Sequence, residues 1–313
     1  MSFNLSRSPL DSWCFPFKLN SVSNSNTTHY QVIVVACVVI AISAPLAVAG
    51  NAFILAAIWR NPSLRTASYV LLAGLAVTDF LTGLLTQPFF VMYRLAEITG
   101  KEELHCICGI VTESTSHYFS SLTVIVIVMM AIERWLHMSR RSLLTARRVF
   151  ILYITFLVVL IFVVVVKMYM WFYPSSIDNV LKVIFYLAGA LCVAAAAFAY
   201  LKVFQIIRHH QNQIHANDNA IDMKKYKKSI FTILYILMLF VLSYVPYVCC
   251  VLVLIILQDF GRSSMAALNA SLAVMYSCSF FNPLLYIWRI KEIRDSVKSI
   301  IRKIICKQNA EES

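Results

Sequence analysis

One carboxylate lies deep inside an apolar stretch of this chain. Asp79 occupies the run LAVTDF at positions 75–80, and an ionised acid at the centre of a membrane helix costs about 2.5–3.5 kcal/mol by insertion scales. Two interpretations stay open: an acid held by hydrogen bonds from neighbouring helices, or a site for a cation or a proton. Asn51 and Asn282 lie in two other apolar runs, and their amides are able to bridge to Asp79.

Two charged residues and two prolines mark other apolar runs. Glu133 and Arg134 close one run, where they can pair with each other or reach another helix, or Arg134 can extend to lipid phosphate. Pro246 and Pro283 interrupt two later runs. A proline inside a helix frees a backbone carbonyl and favours a kink, so both positions can serve as hinges.

Membrane-spanning helices must position these residues. Hydrophobic residues make up 60% of the 313 residues and charged residues 13%, against about 25% charged in soluble domains, which argues against a soluble enzyme. The apolar runs reach about 20 residues, enough to cross a ~30 Å hydrocarbon layer, and without two-residue alternation they do not fit a β-barrel. The sequence predicts an all-α, seven-transmembrane helix bundle. Its spans lie near Tyr30–Ile58, Ser68–Leu95, Cys108–Leu136, Val149–Trp171, Val180–Ile207, Ile230–Leu257 and Ala266–Trp288.

The basic residues indicate the orientation of the bundle. Of the 27 lysines and arginines, 20 lie in or beside the loops after spans one, three and five or in the C-terminal tail. The positive-inside rule then places the N-terminus outside and the tail in the cytoplasm. Because the net charge of +12 is concentrated on one side of a membrane, we expect no nucleic-acid partner.

The two tails complete the predicted organisation. Residues 1–29 form a polar extracellular tail without a cleaved signal peptide, and its sequons make Asn4 and Asn26 candidate glycosylation sites. Residues 30–288 form the bundle. In residues 289–313, apolar side chains recur every three or four positions among basic ones, which predicts an amphipathic helix on the inner leaflet attracted to anionic lipid. The nine cysteines show no metal-ligand spacing.

Five short motifs together resemble the rhodopsin-like (class A) G-protein-coupled receptors. They are Gly50-Asn51, the LAVTD segment at 75–79, Glu133-Arg134-Trp135, FVLSYVP at 240–246 and NPLLY at 282–286. The likeness covers residues 30–305, which is nearly everything between the tails. The Asn-Pro-x-x-Tyr segment followed by a basic amphipathic helix is its most specific part.

The resemblance implies roles for residues of the inner half. Arg134 would hold the resting state through Glu133 and contact a heterotrimeric G protein on opening, with Tyr200 and Tyr286 nearby. An allosteric sodium ion would be held by the oxygen ligands of Asp79, Thr123, Ser279 and Asn282, although Cys278 replaces another polar side chain of the family. Cys306 is placed like the acylated tail cysteines of the family.

Several positions depart from the family pattern. Tyr244 replaces the usual Trp of span six, Trp135 replaces a Tyr, Cys192 stands where a Pro is usual, and span four lacks its Trp. The second outer loop, at 172–179, is short and contains no Cys, so the family's bridge from that loop cannot form. Instead Cys106 and Cys108 can pair with Cys14 or with each other, or stay reduced.

The sequence restricts the ligand mainly by excluding known ligand classes. Ser116 stands where classical amine receptors have an Asp, and span seven lacks the Lys that binds retinal. The short outer loop and Glu113 look like the melanocortin, lysolipid, cannabinoid and adenosine group. Adenosine receptors fit least, since Val251 stands where their base-binding Asn would be. We therefore favour a small lipid-like molecule or a peptide over a biogenic amine.

Aromatic and polar side chains of the outer half define an expected ligand pocket. Alternatives remain for two of them: Glu113 can pair with Lys182 or Lys167 at a wet rim, and His117 can be a packed polar residue. The candidates are Phe89, Glu113, Ser116, His117, Ser120, Tyr244, Tyr247 and Tyr276.

The expected function is that of a multi-pass plasma-membrane receptor and not of an enzyme. Its partners would be an extracellular ligand, a heterotrimeric G protein and membrane lipid. An ion-coupled transporter or channel is the alternative, because an intramembrane Asp also fits an ion pathway. Basal activity is expected because lysines occupy 224–228 except Tyr226, while the nearest acid, Asp222, lies outside the expected helix.

Overall fold

A computed structural model describes residues 27–139, 144–172, 178–213, 220–257 and 261–311. Asn4, Cys14 and Asn26 lie outside these residues. The described segments form nine α-helices in chain order, two of which share one span. They are α1 (Thr27–Arg60), α2 (Ala67–Leu81), α3 (Gln87–Thr99), α4 (Glu102–Met138), α5 (Ala146–Phe172), α6 (Asp178–Gln213), α7 (Ala220–Leu257), α8 (Arg262–Arg289) and α9 (Lys291–Glu311). A 3₁₀ turn at Pro62–Leu64 joins α1 to α2.

Seven segments within the described residues are long and apolar enough to cross a membrane. The predicted all-α seven-helix bundle is thereby confirmed. Most helices run beyond the predicted apolar spans, because backbone hydrogen bonding continues into polar sequence that lacks Pro and Gly. Helix α7 begins at Ala220, ten residues before the predicted start at Ile230, so Asp222 lies inside the helix and the expectation that it lies outside is wrong.

The second span is interrupted by a π-helical turn at Thr82–Thr86, which joins α2 to α3. The wider turn shifts the register of the residues that follow it. Phe90 consequently becomes the buried aromatic, with its ring centroid 5.4 Å from that of Tyr276. Phe89, which the sequence assigned to the ligand pocket, is half-buried and is not among the residues that line the axial cavity.

Helix α1 packs closely on α8 at Gly50. A Cβ atom added there would lie 2.8 Å from Cγ of Pro283, so the close approach requires glycine. Asn51, the next residue, donates one hydrogen bond to the carbonyl of Ala47 (2.9 Å) and another to that of Ser279 (3.0 Å). Helices α7 and α8 remain α-helical through Pro246 and Pro283.

The amphipathic helix α9 packs partly on the bundle and is not wholly presented to lipid. Ile293, Val297 and Ile300 are buried against the inner core. Ile304 and the neighbouring Cys306 are exposed. The apolar residues of α9 are therefore divided between a face that fixes the helix to the bundle and a face that is open.

Candidate functional site

A small cavity lies on the axis of the bundle between α2, the π-helical turn, α4, α7 and α8. It leaves about 20 Å³ for the centres of water-sized molecules, which is room for a water molecule or a small ion and far below the ~300 Å³ of a small-molecule pocket. Its polar lining is formed by Asp79, Thr82, Ser116, Ser120, Thr123, Tyr244, Tyr276, Cys278, Ser279 and Asn282.

Asp79 forms the charged wall of this cavity. Its side chain is 3% exposed, and Asn282 donates a hydrogen bond from Nδ2 to Oδ2 of Asp79 at 2.7 Å. The side chain of Ser279 lies beside the carboxylate and also lines the cavity. No Lys, Arg or His in the described part of the chain forms an ion pair with it, and Oδ1 of Asn282 has no hydrogen-bond partner there. The arrangement suits a small cation.

Of the two amides expected beside Asp79, only Asn282 binds it. Asn51 instead fastens α1 to α8 through the carbonyl of Ser279. That contact holds the backbone of Ser279, whose side chain lines the cavity. Asn51 therefore supports the site without contacting the acid.

Two tyrosines close the outer end of the cavity. The hydroxyl of Tyr276 donates to Oγ of Ser116 at 2.9 Å, and Nε2 of Gln87 donates to the carbonyl of Tyr276 at 2.8 Å. Tyr244 stacks on Phe240 with centroids 4.0 Å apart. Four residues assigned from sequence to an outer ligand pocket, namely Ser116, Ser120, Tyr244 and Tyr276, thus line the same cavity as the four assigned to sodium.

The remaining ligand candidates lie apart from the cavity. Nε2 of His117 is 3.2 Å from Oε2 of Glu113, whose side chain is 41% exposed. Lys167 is also close enough to act electrostatically on Glu113, whereas the side chain of Lys182 is outside the described residues. Tyr247 is partly buried against the cluster around Phe90 and Tyr276.

Glu133 and Arg134, at the inner end of α4, form an ion pair with each other in a closed arrangement. Nε of Arg134 lies 3.4 Å from Oε2 of Glu133, and Ser68 donates to Oε1 of Glu133 at 3.0 Å. Glu133 is 5% exposed. Ser68, at the start of α2, was not among the residues predicted from the sequence. It lies next to a loop, and no residue pattern there indicates a role.

Tyr200 and Tyr286 are also buried in this inner region. Within the described residues neither hydroxyl has a hydrogen-bond partner. Tyr200 lies near enough to both members of the Glu133–Arg134 pair to interact with them electrostatically. The phenol of Tyr200 therefore leaves a donor free beside the ion pair, whereas the groups that act electrostatically on Tyr286 are Asp79 and Cys278.

A further charged group joins α1 to α3 at the opposite end of the bundle. Nη1 of Arg94 lies 2.7 Å from Oε2 of Glu97, and Nε2 of His29 lies 3.7 Å from Oε1 of the same acid. The guanidinium of Arg94 stands 4.4 Å from the centroid of Tyr93. Sequence reasoning did not select this group, although the i, i+3 spacing of Arg94 and Glu97 is a recognisable signal.

Cys106 and Cys108 do not pair with each other. Cys106 is disulfide-bonded, whereas Cys108 is a buried free thiol. This excludes the Cys106–Cys108 pairing and a reduced Cys106 from the alternatives left open by the sequence. Cys14, the remaining candidate of the three, lies outside the described residues.

Seven apolar helices, an axial acid and a closed Glu-Arg pair define a helical membrane receptor of the rhodopsin type. The chain belongs to the rhodopsin family of seven-transmembrane receptors: residues 50–286 match the family described as 7 transmembrane receptor (rhodopsin family). The resemblance stated from the motifs is thereby confirmed. The family is one of multi-pass membrane receptors and not a class of enzymes.

Curated relatives are similar over most of their length. The chain is 21% identical to adenosine receptor A3 of Ovis aries over 284 residues, covering 83% of this chain and 87% of the relative. It is 24% identical to adenosine receptor A2b of Gallus gallus over 301 residues, covering 85% and 88%. Adenosine receptor A3 of Canis lupus familiaris is 21% identical over 293 residues, covering 84% and 90%.

Proposed function

We propose that this protein is a plasma-membrane receptor, with its N-terminus outside, that couples an extracellular ligand to nucleotide exchange on a heterotrimeric G protein. The observation that carries this proposal is the closed inner contact of Ser68, Glu133 and Arg134. Separation of the inner ends of the helices would release Arg134 toward a partner. A ligand that binds the open form more tightly than the closed form would drive that change.

The proposed ligand is a small lipid-like molecule or a peptide that enters from the outer side. We expect the ligand to carry a cationic group, because the acid Glu113 is partly exposed beside His117 and could pair with such a group. The relatives are named adenosine receptors, but the aliphatic side chain of Val251 offers no hydrogen bond to a purine. Adenosine is therefore not the ligand that we propose.

We further propose that the axial cavity binds sodium and stabilises the closed form. Asp79 supplies the charge, while Thr123, Ser279 and Asn282 supply oxygen atoms of the kind that hard cations prefer. The size of the cavity and the unpartnered Oδ1 of Asn282 support this assignment. The thiol of Cys278 adds a softer group to the lining.

Three smaller proposals concern modification and resting activity. Asn4 and Asn26 would carry glycans if the N-terminus is outside. Cys306 is exposed on α9, where one acyl chain beside basic residues would strengthen attachment to the inner leaflet. Four of the five residues at 224–228 are lysines, on the stretch that the family resemblance places opposite Arg134, so we propose appreciable signalling without ligand.

The receptor proposal is tested by nucleotide exchange with purified protein in lipid nanodiscs. Wild type, Arg134→Ala and Arg60→Ala are compared with a panel of purified G proteins, because Arg60 is an exposed arginine at the end of α1. Wild type and Arg60→Ala should accelerate exchange by one class of G protein, and Arg134→Ala should not. Equal exchange by wild type and empty nanodiscs across the panel would overturn the proposal, and ion flux into vesicles would then favour the transporter.

A further inference from the structure

The outer surfaces of α7 and α8 form a continuous apolar face near their adjacent ends. On α7, Phe231, Tyr235 and Met238 are 41%, 39% and 52% exposed and lie four and three residues apart. On α8, Leu284 and Trp288 are 49% and 62% exposed. Because residues three or four apart share one side of a helix, these side chains line one face that acyl chains can cover.

A guanidinium stands at the end of this apolar face. Cζ of Arg289 lies 5.1 Å from the ring centroid of Tyr235 and 5.1 Å from that of Trp288. The two rings are 6.1 Å apart and inclined at 51°. Arg289 is the last residue of α8, so two aromatic faces hold a positive charge at the boundary of the bundle.

Arg289 differs from the other arginines held inside the bundle. Arg94 is paired with Glu97, and Arg134 with Glu133. Across the described ranges no carboxylate lies within ion-pairing distance of Arg289, and its buried Nε makes no hydrogen bond. The two rings flank the guanidinium, and no side chain or carbonyl of the described residues accepts a hydrogen bond from it; a guanidinium in this state can bind an oxyanion.

We propose that Arg289, Tyr235 and Trp288 bind the headgroup phosphate of an anionic phospholipid, whose acyl chains lie along the apolar face of α7 and α8. The inference rests on the proposed orientation, which places this end at the cytoplasmic leaflet, where anionic lipids are concentrated. Tryptophan and tyrosine favour that depth of a bilayer. Since Tyr235 belongs to α7 and the other two residues to α8, a bound lipid would bridge the two helices.

The test measures binding of a fluorescent phosphoinositide to full-length receptor in neutral detergent micelles. Arg289→Gln should weaken binding about tenfold, since one arginine near a lipid headgroup contributes about 1 kcal/mol, or about fivefold, before its hydrogen bonds are counted. Arg302→Gln is the matched control, because Arg302 is an exposed arginine of α9. It removes the same charge and should weaken binding by no more than about fivefold.

Two variants that keep the net charge distinguish a specific headgroup site from nonspecific electrostatic attraction of the lipid. Arg289→Lys and Trp288→Leu should each weaken binding about threefold or more, because the planar fork or one face of the cage is lost. The proposal would be overturned if binding followed net charge alone. In that case Arg289→Gln and Arg302→Gln would weaken binding equally, and Arg289→Lys and Trp288→Leu would not weaken it. Thermal unfolding of each variant provides the folding control.

A soluble competitor distinguishes a lipid from free phosphate. Inositol trisphosphate carries the same phosphates without acyl chains, so it should displace the fluorescent lipid only at concentrations at least tenfold above those of the unlabelled lipid. Equal competition by the two would assign the site to a soluble phosphate and overturn the lipid assignment. Lipid binding is measured without G protein, so failure of this site and failure of the receptor proposal are separately visible.

Discussion

Replacing Asp79 by asparagine should abolish the response to sodium that we propose for this receptor. The substitution is nearly isosteric and can keep a contact with Asn282, which now donates to Oδ2 of Asp79 at 2.7 Å. Among the described residues that line the axial cavity, Asp79 is the one with a carboxylate, and the substitution removes it. A neutral amide cannot balance the charge of a cation in a water-poor interior, so the ion should no longer bind.

The expected size of the effect follows from binding linkage. A cation at ten times its dissociation constant stabilises the form that binds it by about 1.4 kcal/mol, which changes a two-state ratio about tenfold. The cavity has room for little beyond the ion, at about 20 Å³, so larger organic cations are excluded. A gain of 1.4 kcal/mol should raise the unfolding midpoint by a few degrees.

Thermal unfolding measures this effect without any knowledge of the ligand. Wild-type receptor in detergent is heated in sodium chloride and in N-methylglucamine chloride at equal ionic strength. Sodium should raise the midpoint for wild type and for the control Glu113→Gln, whose acid lies outside the cavity, but not for Asp79→Asn. A sodium shift that survives unchanged in Asp79→Asn would refute the assignment of the ion to this cavity.

Three further variants test packing, acylation and resting activity. Gly50→Ala should lower the unfolding midpoint, because the added Cβ atom would lie 2.8 Å from Pro283 and overpacking costs about 1–3 kcal/mol. The control is Gly189→Ala, whose added Cβ atom would have no neighbour within 4 Å, so its midpoint should not fall. Equal midpoints for the two variants would contradict the tight contact at Gly50. Cys306→Ser should lose incorporation of a palmitate analogue, and labelling equal to wild type would show that the thiol is not the acceptor. Tyr226→Glu should lower G-protein activation without ligand at matched surface expression by placing an acid among the lysines of α7, four residues after Asp222; output equal to wild type would remove the proposed cause.

The fold was predictable from the sequence because the bilayer simplifies the physical problem. A backbone in hydrocarbon must satisfy its own hydrogen bonds, so seven long apolar runs lead to seven helices. The ends of helices are less constrained, as α7 shows by beginning at Ala220 within polar sequence. The π-helical turn at Thr82–Thr86 was not predictable, because no residue pattern distinguishes its five residues from an ordinary helical turn.

The candidate site was predictable in composition but not in arrangement. A buried acid needs a polar partner, and that rule identified Asn282, but it could not decide between Asn282 and Asn51, whose amide is used by the carbonyl of Ser279. The phase shift after the π-helical turn brought Phe90, and not Phe89, against Tyr276. One turn of different pitch therefore changes which aromatic side chain faces the bundle axis.

The position of the cavity explains how one helix can connect the outer and inner ends of the bundle. Tyr276, Ser279, Asn282 and Tyr286 are three or four residues apart on α8, so they lie along one side of it. Tyr276 is bonded to Ser116 above the cavity and Asn282 to Asp79 within it, while Tyr286 is fully buried in the inner core. A hydrogen-bonded helix moves largely as a unit, and close-packed interiors favour discrete shifts over gradual deformation. A displacement of α8 large enough to break the Tyr276–Ser116 hydrogen bond would therefore also disturb Asp79 and Tyr286, which would give the ligand, ion and G protein that we propose a common helix on which to act.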